Sequence, residues 1–156
     1  MNDPKLVLFD LEIIPDKEKA VEYWTQLSQF PGKTMKATVT SICSIGWKVF
    51  GEKKVHCLNA WDFKSWKKDI NNDKELLKAF LPHIEDCNAV ITHNGLRFDM
   101  KYIQTRLLIN GLDPLPFIHH IDTCKLAQKN LAFINNKLNT VSGSLVGSRK
   151  LDHSGS

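Results

Sequence analysis

Asp10 and Glu12 stand two residues apart in KLVLFDLEII (Lys5–Ile14), a stretch that is otherwise almost wholly apolar. Leu6, Val7, Leu8 and Phe9 predict a strand buried on both faces, since the run is short and rich in strand formers. Alternation along a strand then puts both carboxylates on one face at its end. An ionised carboxylate there is costly without a cationic partner, and two on one face repel each other. A divalent cation resolves both problems, and oxygen-only ligands favour Mg²⁺ or Mn²⁺. The other reading is a strand that simply stops here with both acids in water. The motif alone does not choose between the two.

A third carboxylate lies in THNGLRFD, Thr92–Asp99. Ala89–Thr92 predicts a short strand, His93-Asn94-Gly95 a turn, and the spacing from Phe98 to Asn110 a helix closed by Gly111. Asp99 therefore falls in a first helical turn, where the helix dipole favours a carboxylate. If the two strands are neighbours, Asp99 faces the Asp10/Glu12 pair; otherwise it is an exposed helix acid.

The elements that would position these groups follow from periodicity. Lys17–Phe30 is amphipathic at helical spacing and stops at Pro31-Gly32. Ala37–Phe50 is β-branched and aromatic, and Lys53–Ala60 alternates as its hairpin partner across Gly51-Glu52. Leu76, Leu77, Phe80, Leu81 and Ile84 form one helical stripe with Asp73 as its N-cap. Phe117–Ile121 predicts a fifth strand, Asp122–Ala132 a helix capped by Asp122, and Leu138–Val146 one more short helix. Three antiparallel strands followed by helix, strand, helix, strand, helix predict an α/β fold with a mixed five-stranded sheet flanked by helices. In such sheets functional groups gather at the carboxyl ends of parallel strands.

The composition is that of an ordinary globular domain: 156 residues, 42% hydrophobic and 24% charged, with a net charge of +4. That mild basic bias is compatible with a phosphate-rich partner. Cys43, Cys57, Cys87 and Cys124 form no C-x-x-C pair, which predicts reduced thiols in a reducing compartment. No signal peptide and no membrane span is predicted, so the expected location is cytoplasmic.

Phe9–Glu12 (FDLE) and His93–Asp99 (HNGLRFD) resemble the first two motifs of the DEDD 3′–5′ exonucleases, which share the ribonuclease H-like fold. The likeness is to the proofreading domains of family B DNA polymerases and their stand-alone relatives, which carry F-D-I-E and N-x-x-x-F-D. Lys137–Asp152, KLNTVSGSLVGSRKLD, is similar to the K-L-N-x-V segment that follows the second motif in that family. The resemblance implies a single exonuclease domain over residues 1–156 that acts on nucleic acid, most simply a single-stranded DNA 3′ end in repair or proofreading. It implies Asp10, Glu12 and Asp99 as catalytic ligands of two Mg²⁺ or Mn²⁺ ions. Leu11, Asn94 and Phe98 match positions that contact the substrate end, while an aromatic at a helix start also suits a core.

Two departures qualify the match. Ile13 stands where the family usually has threonine. The family's third motif, Y-x-x-x-D or H-x-x-x-D, supplies a fourth ligand and a residue that positions the water, and it does not occur here. The expectation is a domain truncated at its C-terminus, with the fourth acid coming from a missing segment or a partner. Asp152 and His153 lie in the wrong context to replace it. A nucleic-acid-binding module without turnover, or an endonuclease or RNase of the same fold, are the competing readings. Elsewhere, His119-His120-Ile121-Asp122-x-Cys124 fits no structural zinc spacing. Trp61–Lys68 interleaves aromatics with lysines, as a base-stacking surface or an ordinary solvated edge would.

Overall fold

The computed structural model describes residues 3–16, 19, 25 and 40–149. Strand β1, Leu6–Pro15, is the spine of a five-stranded sheet. It pairs antiparallel with β2 (Thr40–Val49), which pairs antiparallel with the edge strand β3 (His56–Asn59). On its other side β1 runs parallel to β4 (Ala89–Thr92), and β4 runs parallel to β5 (His119–Asp122). The order β3-β2-β1-β4-β5 is therefore mixed, with β1 where strand direction changes.

A 3₁₀ turn, Ala60–Asp62, and a short helix α1, Lys64–Lys68, follow β3. The longer helices are α2 (Lys74–Glu85) and α3 (Asp99–Ile109), then α4 (Thr123–Asn130) and α5 (Leu138–Val146). Gly111 has φ +63°, a left-handed conformation that glycine adopts without a Cβ penalty as α3 ends. The predicted helix Lys17–Phe30 lies outside the described residues, as do Asp152 and His153.

The core forms where the β1 face carrying Val7, Phe9 and Leu11 meets the stripes of α2 and α3. Leu76, Leu77, Phe80 and Ile84 come from α2, and Tyr102, Ile103 and Leu107 from α3. Phe80 sits 5.5 Å from Phe9 and 5.7 Å from Trp47, ring centre to ring centre. Full burial of each such side chain contributes roughly 1.5–3 kcal/mol.

Four expectations need correction. β1 is buried on one face only; Leu6 and Leu8 on the other are half-buried, and Leu8 and Ile91 line an open cavity there. Asp10 and Glu12 do not end the strand, because pairing with β2 continues to Pro15–Thr40. What ends near them is the parallel ladder to β4, at Leu8. Trp66 of the Trp61–Lys68 segment is buried in the core rather than displayed for stacking, while Trp61 remains exposed.

The fourth correction concerns Asp73. It occupies the N-cap position of α2, yet its side chain caps nothing. The carboxylate is fully buried, accepts two hydrogen bonds of 2.8 Å from Arg106 of α3, and accepts others from the Ile42 N–H and Asn110. A guanidinium fork matches a carboxylate bidentately, and that match outcompetes a local cap.

Candidate active site

The parallel strands β1, β4 and β5 all point their carboxyl ends at one edge of the sheet. Leu8 is paired with Ile91, and Thr92 with Asp122. Asp10 and His93, each two residues past a paired position, therefore emerge side by side at this edge. Asp10 and Glu12 are exposed, and Leu11 between them is buried at 4% exposure. The Leu11 side chain thus belongs to the core, and its backbone N–H is what reaches the site. The register with β2 slips between Glu12 and Ile13, leaving Cys43 as the extra residue of a bulge. Burial pushes the Cys43 thiol up, and the charge of Glu12 adds to that, so Glu12 lies near the bulge.

The second motif enters through the turn between β4 and α3. Asn94 has φ +68° and is the one non-glycine residue with positive φ among those described. Gly95 is needed for space: a Cβ there would stand 2.0 Å from the Thr92 hydroxyl oxygen. Thr92 cannot easily yield, since it is buried, β-branched, and 2.7 Å from His120 Nε2. Gly95→Ala is expected to destabilise the protein by about 1–3 kcal/mol through this overpacking and to displace Asn94. Urea titration of the variant measures the loss.

Asp99, the first residue of α3, is 4% exposed, and its Oδ1 has no hydrogen-bond partner among the described residues. Burial pushes its carboxyl up to about 6, and the charges of Asp10 and Asp122 act in the same direction. Backbone N–H groups of Asp99 itself and of Leu11 oppose the shift without cancelling it. Desolvation outweighs the helix dipole here.

Between the ordinary carboxylate range and about pH 6, the folded chain without a cation therefore holds a proton on Asp99 that the unfolded chain has released. Stability from this group is present below the ordinary carboxylate range and is lost as pH rises from there through about 6. A cation competes with that same proton, so Mn²⁺ affinity is expected to rise with pH and to level off above about 6. Melting curves between pH 4 and 8, with and without Mn²⁺, test both slopes.

Asp122 is the N-cap of α4 that the sequence predicts. It does accept from the N–H groups of Cys124 and Lys125 at the start of α4. It also accepts from the N–H groups of Asn94 and Leu96, a link the sequence did not reveal. Burial acts to raise its carboxyl, but these four N–H groups together hold it below the usual range. His93 is engaged at both ring nitrogens, by Thr123 Oγ1 at 2.9 Å and the Asn136 carbonyl at 2.8 Å. It is therefore tied up as a structural staple.

Asn94 is half-buried and borders a polar cavity of about 580 Å³ that also meets Arg97 and Lys137. Phe98 is half-buried with its ring 4.6 Å from Tyr102, at the margin of the core. The structure thus brings Asp99 near Asp10, places Asn94 in the turn that leads into α3, and leaves Asp10 and Glu12 both exposed. Among the described residues, no three His, Cys, Asp or Glu side chains converge as a finished cation site.

The family model for the exonuclease domain of DNA polymerase family B matches residues 2–140. The chain belongs to that family. Its fold is the ribonuclease H-like fold of these exonuclease domains. A family B DNA polymerase from the hyperthermophilic archaeon Pyrobaculum calidifontis superposes with a TM-score of 0.68 and 11% sequence identity. The match covers 95% of this chain, which spans 19% of that polymerase. No curated protein matches the chain in sequence. Exonuclease domains of this family are nucleases that act on nucleic acid and are generally dependent on divalent metal. The residues present suit such an ion: a buried carboxylate oxygen lacks a partner beside a second carboxylate, and all three candidate donors are hard oxygens.

Proposed function

We propose that this chain carries a two-metal-ion 3′–5′ exonuclease site that hydrolyses the terminal phosphodiester bond of single-stranded DNA. The observation that carries the reading is the buried Asp99 carboxylate, one oxygen of which has no hydrogen-bond partner among the described residues, beside Asp10 at the carboxyl edge of the parallel strands. Asp10, Glu12 and Asp99 would hold Mg²⁺ or Mn²⁺. Bound there, the ions would supply an activated water and charge neutralisation at the scissile phosphate.

The protein's own groups prepare that chemistry. The Leu11 N–H steadies Asp99, and burial keeps bulk water from it. Asn94 offers its amide at the mouth of the polar cavity, where a strand end would lie, and Phe98 backs the turn. A fourth acidic ligand would come from a further segment or a partner chain.

One observation favours a second reading, a nucleic-acid-binding module without turnover: the three carboxylates do not close into a finished site. The deciding experiment incubates 3′- and 5′-labelled single strands with the protein and Mn²⁺. A ladder receding from the 3′ end supports the exonuclease. Retained strands without cleavage support the binding module, and internal cuts overturn both in favour of an endonuclease.

A further inference from the structure

We propose that Asp122 is a positioning residue, whose carboxylate latches the turn presenting Asn94 and Asp99 to the end of a nucleic-acid strand. This rests on the nuclease reading above and assigns the group that fixes its substrate side.

The N-terminus of α4 asks for only one acceptor oxygen. Oδ1 meets that need, accepting from Cys124 N at 3.0 Å and Lys125 N at 3.3 Å. Serine or asparagine would serve a cap as well as aspartate does. The remaining bonds go elsewhere. Oδ1 also accepts from Asn94 N at 2.9 Å, and Oδ2 accepts from Leu96 N at 3.2 Å, 26 residues back along the chain.

Asp122 is 4% exposed, and among the described residues it joins no ion pair. A buried charge kept without a cation is held by backbone dipoles, and half of those that hold it come from this turn. The turn needs holding, because Asn94 lies in the left-handed region that most side chains avoid. It also sets α3: Arg97 N–H donates to the Asn94 carbonyl and Met100 N–H to that of Gly95, with Asp99 between them.

Asp122→Asn keeps the volume and the cap but turns one acceptor into a donor that faces a backbone N–H. Hydrogen exchange at the Asn94 and Leu96 amides is expected to quicken by about tenfold, with α4 and core amides unchanged. With a labelled single strand and Mn²⁺, KM is expected to rise by about tenfold while kcat changes by less than about threefold. Asp122→Ser, whose shorter hydroxyl can cap α4 but not span to Leu96, should behave alike and serves if the first variant fails to fold. Unchanged exchange at Leu96 overturns the latch. Uniformly faster exchange across the domain, or an unchanged KM, reduces Asp122 to a structural cap and overturns the proposal. A wild-type chain that neither binds nor cuts the strand overturns the nuclease reading instead, and exchange then still decides whether the latch exists.

Discussion

Replacing Asp99 by asparagine is expected to stabilise the protein without added cation and, in the same molecule, to destroy metal-dependent cleavage. Asp99 is almost fully enclosed, one of its oxygens has no partner among the described residues, and Asp10 repels its charge. At pH 7 to 8 the folded chain must hold this group ionised against a tendency to stay protonated up to about 6. Asparagine removes the charge and keeps the shape. A gain of about 1–2 kcal/mol is expected after allowing for solvent screening, or a few degrees in Tm.

On the proposed function, the same substitution removes a negative ligand from a site that would work by gathering negative charge around a cation. Cleavage with Mn²⁺ should fall by at least about a hundredfold. Differential scanning calorimetry and the 3′-end assay, run on one preparation, check both halves. Asp10→Ala should share the loss of cleavage, and full activity in either variant would remove these carboxylates from the chemistry. A lower Tm for Asp99→Asn would show that its charge is compensated and that the site is not strained in this way.

Arg106→Ala is expected to have the largest effect on stability. The guanidinium of Arg106 is 6% exposed and grips a carboxylate that is fully buried. Deleting it leaves the buried Asp73 carboxylate with the Ile42 N–H and Asn110 as its remaining hydrogen-bond donors among the described residues. Breaking a buried pair from one side costs about 3–5 kcal/mol, which corresponds to roughly 10 °C in a chain of this size. The pair ties the start of α2 and the start of β2 to the far half of α3, the helix whose first residue is Asp99. Loosening it should therefore weaken Mn²⁺ binding as well. Arg106→Met combined with Asp73→Asn should recover most of the stability, because the uncompensated charge is gone. Equal losses in the single and double variants would show that packing, rather than charge, makes Arg106 important.

Local signals in the chain correspond to the observed elements. Ala89–Thr92 and the turn after it were legible because a short β-branched run ended by His-Asn-Gly has few alternatives. α3 was placed within a residue at each end, with Gly111 just beyond it, since a positive φ after a helix selects glycine. The cap on α4 was legible as well, because its acceptor lies next to its donors. Partners distant in sequence were not legible. Asp73 has the look of a cap, and only Arg106, 33 residues away, makes it an ion-pair partner. Leu11 stands between two acids in a motif, yet strand alternation aims its side chain into the core. Trp66 sits among lysines, and tertiary packing buries it all the same.

From residue types and order alone came the candidate carboxylates Asp10, Glu12 and Asp99, the turn at Asn94-Gly95, and the cap Asp122 at a helix start. These depend on bonds and periodicities that span a few residues, and any reader of the chain can find them. Only the tertiary structure decided what those groups are to one another. Parallel pairing of β1 with β4 sets Asp99 against Asp10, and burial in the folded chain strips it of water and leaves one oxygen without a partner among the described residues. Pairing of β4 with β5 brings Asp122 within reach of Leu96. Desolvation and long-range hydrogen bonds exist only once the sheet has closed, so the chemistry of Asp99 and the latch of Asp122 belong to the fold.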